Sequence, residues 1–101
     1  MDSRPTLQTV FENILGSKNV YFQPPPTVQM KYPAIVYSRK KIDKLNANNN
    51  LYKLLPCYEV ILIDYNPDSE YVQKILELPY CSYDRPYKSN NLNHDVFTIY
   101  Y

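Results

Sequence analysis

The sequence predicts an α+β fold, ordered α-ββ-α-ββ, in which two helices pack on one face of an antiparallel β-sheet. Two segments, residues 3–16 and 69–78, repeat apolar side chains with the period of a helix. Between and after them lie segments rich in β-branched and aromatic residues, which favour strands. Consecutive strands joined by a loop pair most simply as antiparallel hairpins. We expect one domain over residues 1–101, because a chain of this length forms a single domain.

The first helix is predicted over residues 3–16. Ser3 can cap its start, Pro5 is tolerated in the first turn, and Gly16 fits just past its end. Apolar side chains recur along one helical face at Leu7, Val10, Phe11, Ile14 and Leu15. We expect this face to lie on the sheet.

The first hairpin is predicted to start with a strand at residues 34–37 and to carry a protruding loop at about residues 38–50. The loop is polar and cannot bury enough apolar surface to pack by itself, and long loops are commonly functional. We predict an interaction site at its basic and amide side chains, Arg39, Lys40, Lys41, Lys44, Asn48, Asn49 and Asn50. Either the loop grips an acidic partner surface or it is only solvated. The loop carries positive charge but has no interleaved aromatic side chains on which bases could stack, which argues against nucleic acid as its partner.

The second half begins with a strand at residues 57–65, whose unbroken apolar run Val60–Ile63 predicts that both of its faces are covered. Residues 66–68 end this strand, because proline cannot donate to a ladder and Asn and Asp favour turns. Asp68 or Ser69 then caps the second helix, which Pro79 ends. The last hairpin is predicted from strands at residues 80–84 and 95–101, with residues 85–94 as its loop.

The predicted core collects apolar side chains from both helices and both central strands. Its members are Leu7, Val10, Phe11, Ile14, Val60, Leu62, Val72, Ile75, Leu76 and Phe97. The chain also holds 12 tyrosines. Because tyrosine has an apolar body and a polar tip, these residues fit either a protein interface or the edge of the core.

Composition excludes several classes of function. The net charge is +1, so no global field would attract nucleic acid or an anionic membrane. One glycine in the chain leaves no phosphate-cradling loop. Neither an apolar run of membrane-spanning length nor a signal-peptide core is visible, so we expect assembly in a cytosol. Cys57 and Cys81 are expected to be free thiols there, rather than a disulfide.

Candidate catalytic and metal-binding residues each have a simpler structural explanation. His94 lies beside Asn93 and Asp95, but residues adjacent on a strand point to opposite faces. Asp64, Asp68 and Glu70 surround a turn, where capping explains them better than a cation does. Cys57 has no base near it in the sequence. We therefore predict no catalytic residue, no cofactor and no metal.

Five strings of the sequence resemble a known group of proteins. They are Asn19–Pro25, Lys31–Tyr37, Tyr58–Asp64 with Asn66–Ser69, Leu78–Arg85, and Asn91–Phe97. Together they resemble the small proteins encoded among the head–tail genes of tailed bacteriophages, in particular tail terminator or tail completion proteins. The resemblance covers nearly the whole chain.

The resemblance implies a structural protein that is not an enzyme, a subunit of a homo-oligomeric ring, a hexamer, at the head–tail junction of the virion. Such a ring caps the tail tube protein and meets the head-side neck or connector protein, and DNA passes through its lumen without being read. It would be assembled in the host bacterial cytoplasm. The alternative is a stopper or head-completion subunit, a neck protein on the head side. The basic, Asn-rich segment differs from the shorter, more acidic one that the resemblance leads us to expect.

Overall fold

The computed structural model describes residues 4–47 and 50–101, with the side chains of 4–5, 45–47 and 50–53 left aside. Within these residues, two helices and a five-stranded sheet form a mixed α/β fold. The elements are α1 (Arg4–Leu15), β1 (Val20–Phe22), β2 (Ala34–Ala47), β3 (Asn50–Asp64), α2 (Tyr71–Leu76), β4 (Cys81–Ser89) and β5 (Leu92–Tyr100). Two helices beside a sheet were predicted, whereas the predicted α-ββ-α-ββ order omits β1.

The sheet has the strand order β1-β2-β3-β5-β4 and is not purely antiparallel. β1 pairs parallel with β2, with Val20 opposite Ile35 and Phe22 opposite Tyr37. All other neighbours pair antiparallel. The prediction of an antiparallel sheet is therefore wrong at this edge, because residues 23–33 carry the chain back to the start of β2 rather than reversing it in a hairpin.

Helix α1 confirms the sequence pattern. Leu7 and Phe11 are fully buried, and the Phe11 ring packs edge-on against Tyr37 with 5.3 Å between ring centroids. The helix ends where Gly16 adopts φ +69° and donates its N–H to the Glu12 carbonyl, 2.9 Å away. Glycine takes this left-handed conformation at little cost, which explains the stop.

The core lies between the helices and one face of the sheet. It consists of Leu7, Phe11, Leu15, Val20, Ile35, Tyr37, Tyr58, Val60, Leu62, Ile75, Phe97 and Ile99. Six of the ten predicted core residues are fully buried: Leu7, Phe11, Val60, Leu62, Ile75 and Phe97. Val10, Ile14 and Val72 are half-buried. Leu76 is 38% exposed, so its assignment to the core is wrong. α2 has only six residues, and Leu76 is the last of them.

The turn between β4 and β5 replaces the predicted loop at residues 85–94. The strands run on to Ser89 and Leu92, and Asn90 and Asn91 alone connect them with φ 53° and 62°. A two-residue hairpin turn with positive φ at both positions matches the twist of the strands, and Asn tolerates that conformation. The loop prediction was wrong because these two residues are enough to reverse the chain.

The predicted loop at residues 38–50 is also wrong, since β2 and β3 stay paired from Ala34 opposite Ile63 to Ala47 opposite Asn50. β5 accompanies β3 only as far as the pair formed by Cys57 and Tyr100. Residues 42–47 and 50–56 therefore leave the sheet as a two-stranded projection. We call residues 39–47 and 50–56 the ribbon, which consists of this projection and the three residues of β2 at its base. It accounts for the elongated shape, whose extents are 51 × 26 × 23 Å. Asn48 and Asn49, at the tip of the predicted loop, lie outside the described residues.

Candidate interaction site

The ribbon presents exposed apolar side chains on one face. Leu54, Pro56 and Tyr58 occupy every second position of β3, so their side chains point to the same face of the sheet. Because Tyr58 belongs to the core, this is the face that carries the helices. Ile42 lies opposite Pro56 and joins them. Ile42 is 50% exposed and Leu54 is 47% exposed, because no helix of the described chain reaches this far. Large apolar side chains grouped on a projecting hairpin are typical of a protein contact.

The base of the ribbon is held by the last residues of β5. The Tyr100 hydroxyl donates to Asp43 Oδ2 at 3.2 Å, and the Tyr101 N–H donates to the Pro56 carbonyl at 3.1 Å. The Lys41 ammonium lies 3.6 Å from the same carboxylate. The Asp43 charge raises the pKa of Lys41, and the hydrogen bond to Asp43 raises the pKa of Tyr100. These contacts fix the direction in which the ribbon projects.

The structure brings the four predicted basic residues together on the ribbon, but they differ in their surroundings. Arg39 stacks over the Tyr58 ring at 5.9 Å from its centroid, and Lys41 is paired with Asp43. Lys40 and Lys44 are exposed, and within the described part of the chain neither ammonium lies within ion-pair distance of a carboxylate. Their charges are therefore available to a partner. Asn50 starts β3, and Asn48 and Asn49 lie outside the described residues.

A second surface, which sequence reasoning missed, is an open groove between α2 and the edge formed by β4 and β5. Its apolar lining comes from Val72, Leu76 and Tyr83, and its carboxylates from Asp68, Glu77 and Asp95. Among the described residues, no lysine or arginine lines it. The Tyr83 hydroxyl donates to Asp95 Oδ1 at 2.7 Å, and desolvation together with this bond raises the pKa of Tyr83 to about 12. We call this the acidic groove.

The groove could not be read from the sequence because its walls come from three separate elements. The one signal was Leu76, an apolar residue at the end of the predicted stripe that has no place in the core. Asp68 and Glu77 flank α2 but are far from Asp95 along the chain. Only the pairing of β5 with β3, which sets Asp95 opposite Leu62, brings the three carboxylates to one surface.

The candidate acid–base and metal residues have structural roles. The His94 ring stacks on Tyr87 at 4.5 Å between centroids, and its Nδ1 lies 3.1 Å from the Leu92 carbonyl, to which it donates. Asp64 Oδ1 accepts the N–H of Asn66, whose side chain in turn accepts the N–H of Asp68. These bonds shape the turn after β3. Among the described residues, no three His, Cys, Asp or Glu side chains converge on a metal site.

The two cysteines are free and lie on opposite faces of the sheet. Cys57 is paired with Tyr100 and Cys81 with Ile99. Paired residues point to the same face of a sheet, whereas Ile99 and Tyr100 are adjacent on β5 and point to opposite faces. Cys57 is fully buried and Cys81 is half-buried. Burial raises the pKa of the Cys81 thiol to about 11. The reactive thiolate is therefore scarce at neutral pH.

We expect iodoacetamide to modify Cys81 far more slowly at pH 8 than a cysteine placed at an exposed position. A raised pKa means that the folded protein favours the neutral thiol, so the rate should climb as the pH approaches 11. Peptide mass spectrometry separates Cys81 from Cys57. The variant Gln29→Cys provides the exposed reference. Equal rates for residues 29 and 81 at pH 8 would contradict the raised pKa.

Compared with known proteins, the chain matches no protein-family model and no curated protein. Neither helix of the described chain is long and apolar enough to cross a membrane.

Proposed function

We propose that this chain is a structural virion protein of a tailed bacteriophage that forms a ring at the head–tail junction. The ring caps the tail tube and joins it to the head-side connector, and DNA passes through its lumen. In this role the chain binds proteins and performs no chemistry. The five strings that resemble tail terminator proteins support the proposal, and they span β1 to β5.

The structural observation that carries the proposal is the ribbon. A ring is built from head-to-tail contacts, in which each subunit offers two unlike surfaces. The ribbon is one such surface, with exposed apolar and basic side chains on a projection from a small sheet. A solvated surface hairpin without a partner would not need the exposed Ile42 and Leu54.

The ribbon binds as a preformed element. Its strands are paired along their described length, and Tyr100 holds it through Asp43. Binding therefore costs less conformational entropy than the ordering of a free loop. Its exposed charges act mainly on the rate of association and its dependence on salt. The near-neutral net charge of +1 leaves the rest of the subunit without a strong attraction to the DNA that it surrounds.

Phage particles that lack this chain test the proposal. We expect DNA-filled heads and separate tails that do not join, and recovery of complete particles when the chain is supplied. Labelled chain should lie at the head–tail junction of complete particles. When it is added to heads and tails purified from phage that lack the chain, it should bind to the tails. Binding to DNA-filled, tail-less heads instead would favour the stopper on the head side. Complete infectious particles without the chain would overturn both assignments.

A further inference from the structure

We propose that the ribbon of one subunit docks into the acidic groove of the next copy of the same chain. The proposal deepens the function proposed above, on which it rests, by assigning the contact that closes the ring. The ribbon and the acidic groove are two unlike surfaces of one chain, which is what a head-to-tail interface requires. The partner is therefore a second copy, and the recognition is apolar at the centre and charged around it.

The two surfaces lie at different points along β3. Leu54 belongs to the ribbon, whereas Leu62 lies opposite Asp95 of the acidic groove. These two residues are eight positions apart, so roughly 26 Å separates the surfaces at the usual rise per residue of a strand. The ribbon continues the paired strands β2 and β3 away from the groove, and the hydrogen bond from Tyr100 to Asp43 holds it at its base. Docking must therefore be between copies.

The apolar parts of the two surfaces are complementary in kind. Ile42 and Leu54 lie on one face of the ribbon and are about half exposed. In the groove, Leu76 is 38% exposed and Tyr83 is 40% exposed, although both are large side chains. Covering each set with the other would remove apolar surface from water on both sides, which is the main driving force for association.

The charges match as well. Lys40 and Lys44 of the ribbon have no carboxylate within ion-pair distance in the described structure. The groove offers Asp68 and Glu77 at its rim, both exposed, and its described lining contains no basic residue. Asp95 accepts a hydrogen bond from Tyr83, and Glu77 accepts one from Gln73 at 3.3 Å. Within the described residues neither Asp68 nor Glu77 forms an ion pair, so the charges of both can meet a partner's lysines. Opposite patches of this kind steer association and fix its register.

A charge swap in solution tests the contact. The ribbon-reversed variant carries Lys40→Glu and Lys44→Glu, and the groove-reversed variant carries Asp68→Lys and Glu77→Lys. These side chains are exposed, so both variants should stay folded by circular dichroism. We expect the wild-type chain to sediment as an oligomer, and each variant alone to associate at least about tenfold more weakly. Mixed in equal amounts, the two variants should recover the wild-type mass, because each acidic ribbon then meets a basic groove and each basic ribbon an acidic groove.

A matched control separates this contact from general charge effects. The control variant carries Lys31→Glu and Lys88→Glu, which change two exposed lysines outside the ribbon and give the same net charge as the ribbon-reversed variant. Alone it should keep the wild-type mass. Mixed with the groove-reversed variant, it supplies no acidic ribbon for the basic groove of that chain. Closed assemblies that contain the groove-reversed chain should therefore not form.

The results distinguish failure of this contact from failure of the proposed function. An oligomeric wild type whose two reversed variants assemble normally overturns the docking while the ring function stands. A wild type that stays monomeric at every concentration, or reversed variants that do not recover on mixing, overturns the docking too. Recovery on mixing, combined with complete particles in the absence of the chain, supports the docking and overturns the head–tail role.

Discussion

Replacing Phe11 with alanine should lower the free energy of unfolding by about 3–5 kcal/mol. The Phe11 side chain is fully buried and packs on the buried Tyr37 ring, so truncation leaves a cavity between α1 and the sheet that the surrounding side chains fill only in part. A domain of this size has on the order of 5–15 kcal/mol of total stability, so the loss is a large share of it. Urea unfolding followed by circular dichroism measures the change.

The control for this prediction is Asn13→Ala on the same helix. Asn13 is exposed, so its replacement should change stability by no more than about 0.5 kcal/mol. Equal stabilities of the Phe11→Ala and Asn13→Ala variants would show that the apolar face of α1 does not pack on the sheet.

Replacing Arg39, Lys40, Lys41 and Lys44 together with serine should abolish or greatly slow the completion of infectious particles while the subunit stays folded. Within the subunit, this change removes the Lys41–Asp43 ion pair at 3.6 Å and the stacking of Arg39 on Tyr58. Exposed interactions of this kind contribute little to stability because water and salt screen them, so the subunit should stay folded. The difference from the wild type should be largest at low salt, because screening removes the advantage of the wild-type charges. Complementation of a particle-deficient phage at several salt concentrations measures it.

The chain offers a closely matched control in Lys18, Lys31, Lys74 and Lys88, also replaced with serine. This set removes the same charge, one surface ion pair (Lys18 with Glu12 at 3.9 Å) and one cation–π interaction (Lys74 over Tyr71 at 5.6 Å). It should complete particles normally. If the ribbon variant also completes them at the normal rate at every salt concentration, the ribbon charges are only solvated and the interaction site is wrong.

The parts of the fold that the sequence predicted are those in which local pattern and tertiary packing agree. The spacing of Leu7 and Phe11 predicted α1, and Gly16 marked its end. The ribbon was missed because its strands are held by backbone pairing and leave the sheet, so they show no buried apolar alternation. Residues 38–47 look polar and loop-like in sequence, although strand pairing there needs no core.

Other features depend on interactions between residues that are distant along the chain. The parallel pairing of β1 with β2 cannot be read from three residues, Val20–Phe22, whose direction is set by the connection that follows. The acidic groove likewise needs Glu77 and Asp95 on one surface. The basic side chains of the ribbon can be read from the sequence alone, whereas the acidic groove exists only once the sheet has assembled.

The central position of β5 has a consequence for how the protein is made. Leu92–Tyr100 lies between β3 and β4, and Phe97 and Ile99 complete the core. As the chain leaves the ribosome, the β3 segment that carries Val60 and Leu62 therefore has no partner on that side until Tyr100 has emerged. An unpaired strand edge beside apolar side chains is prone to aggregate. The nascent chain can close its core only after β5 has emerged, so its yield in a cell depends on the interval between the emergence of β3 and that of β5.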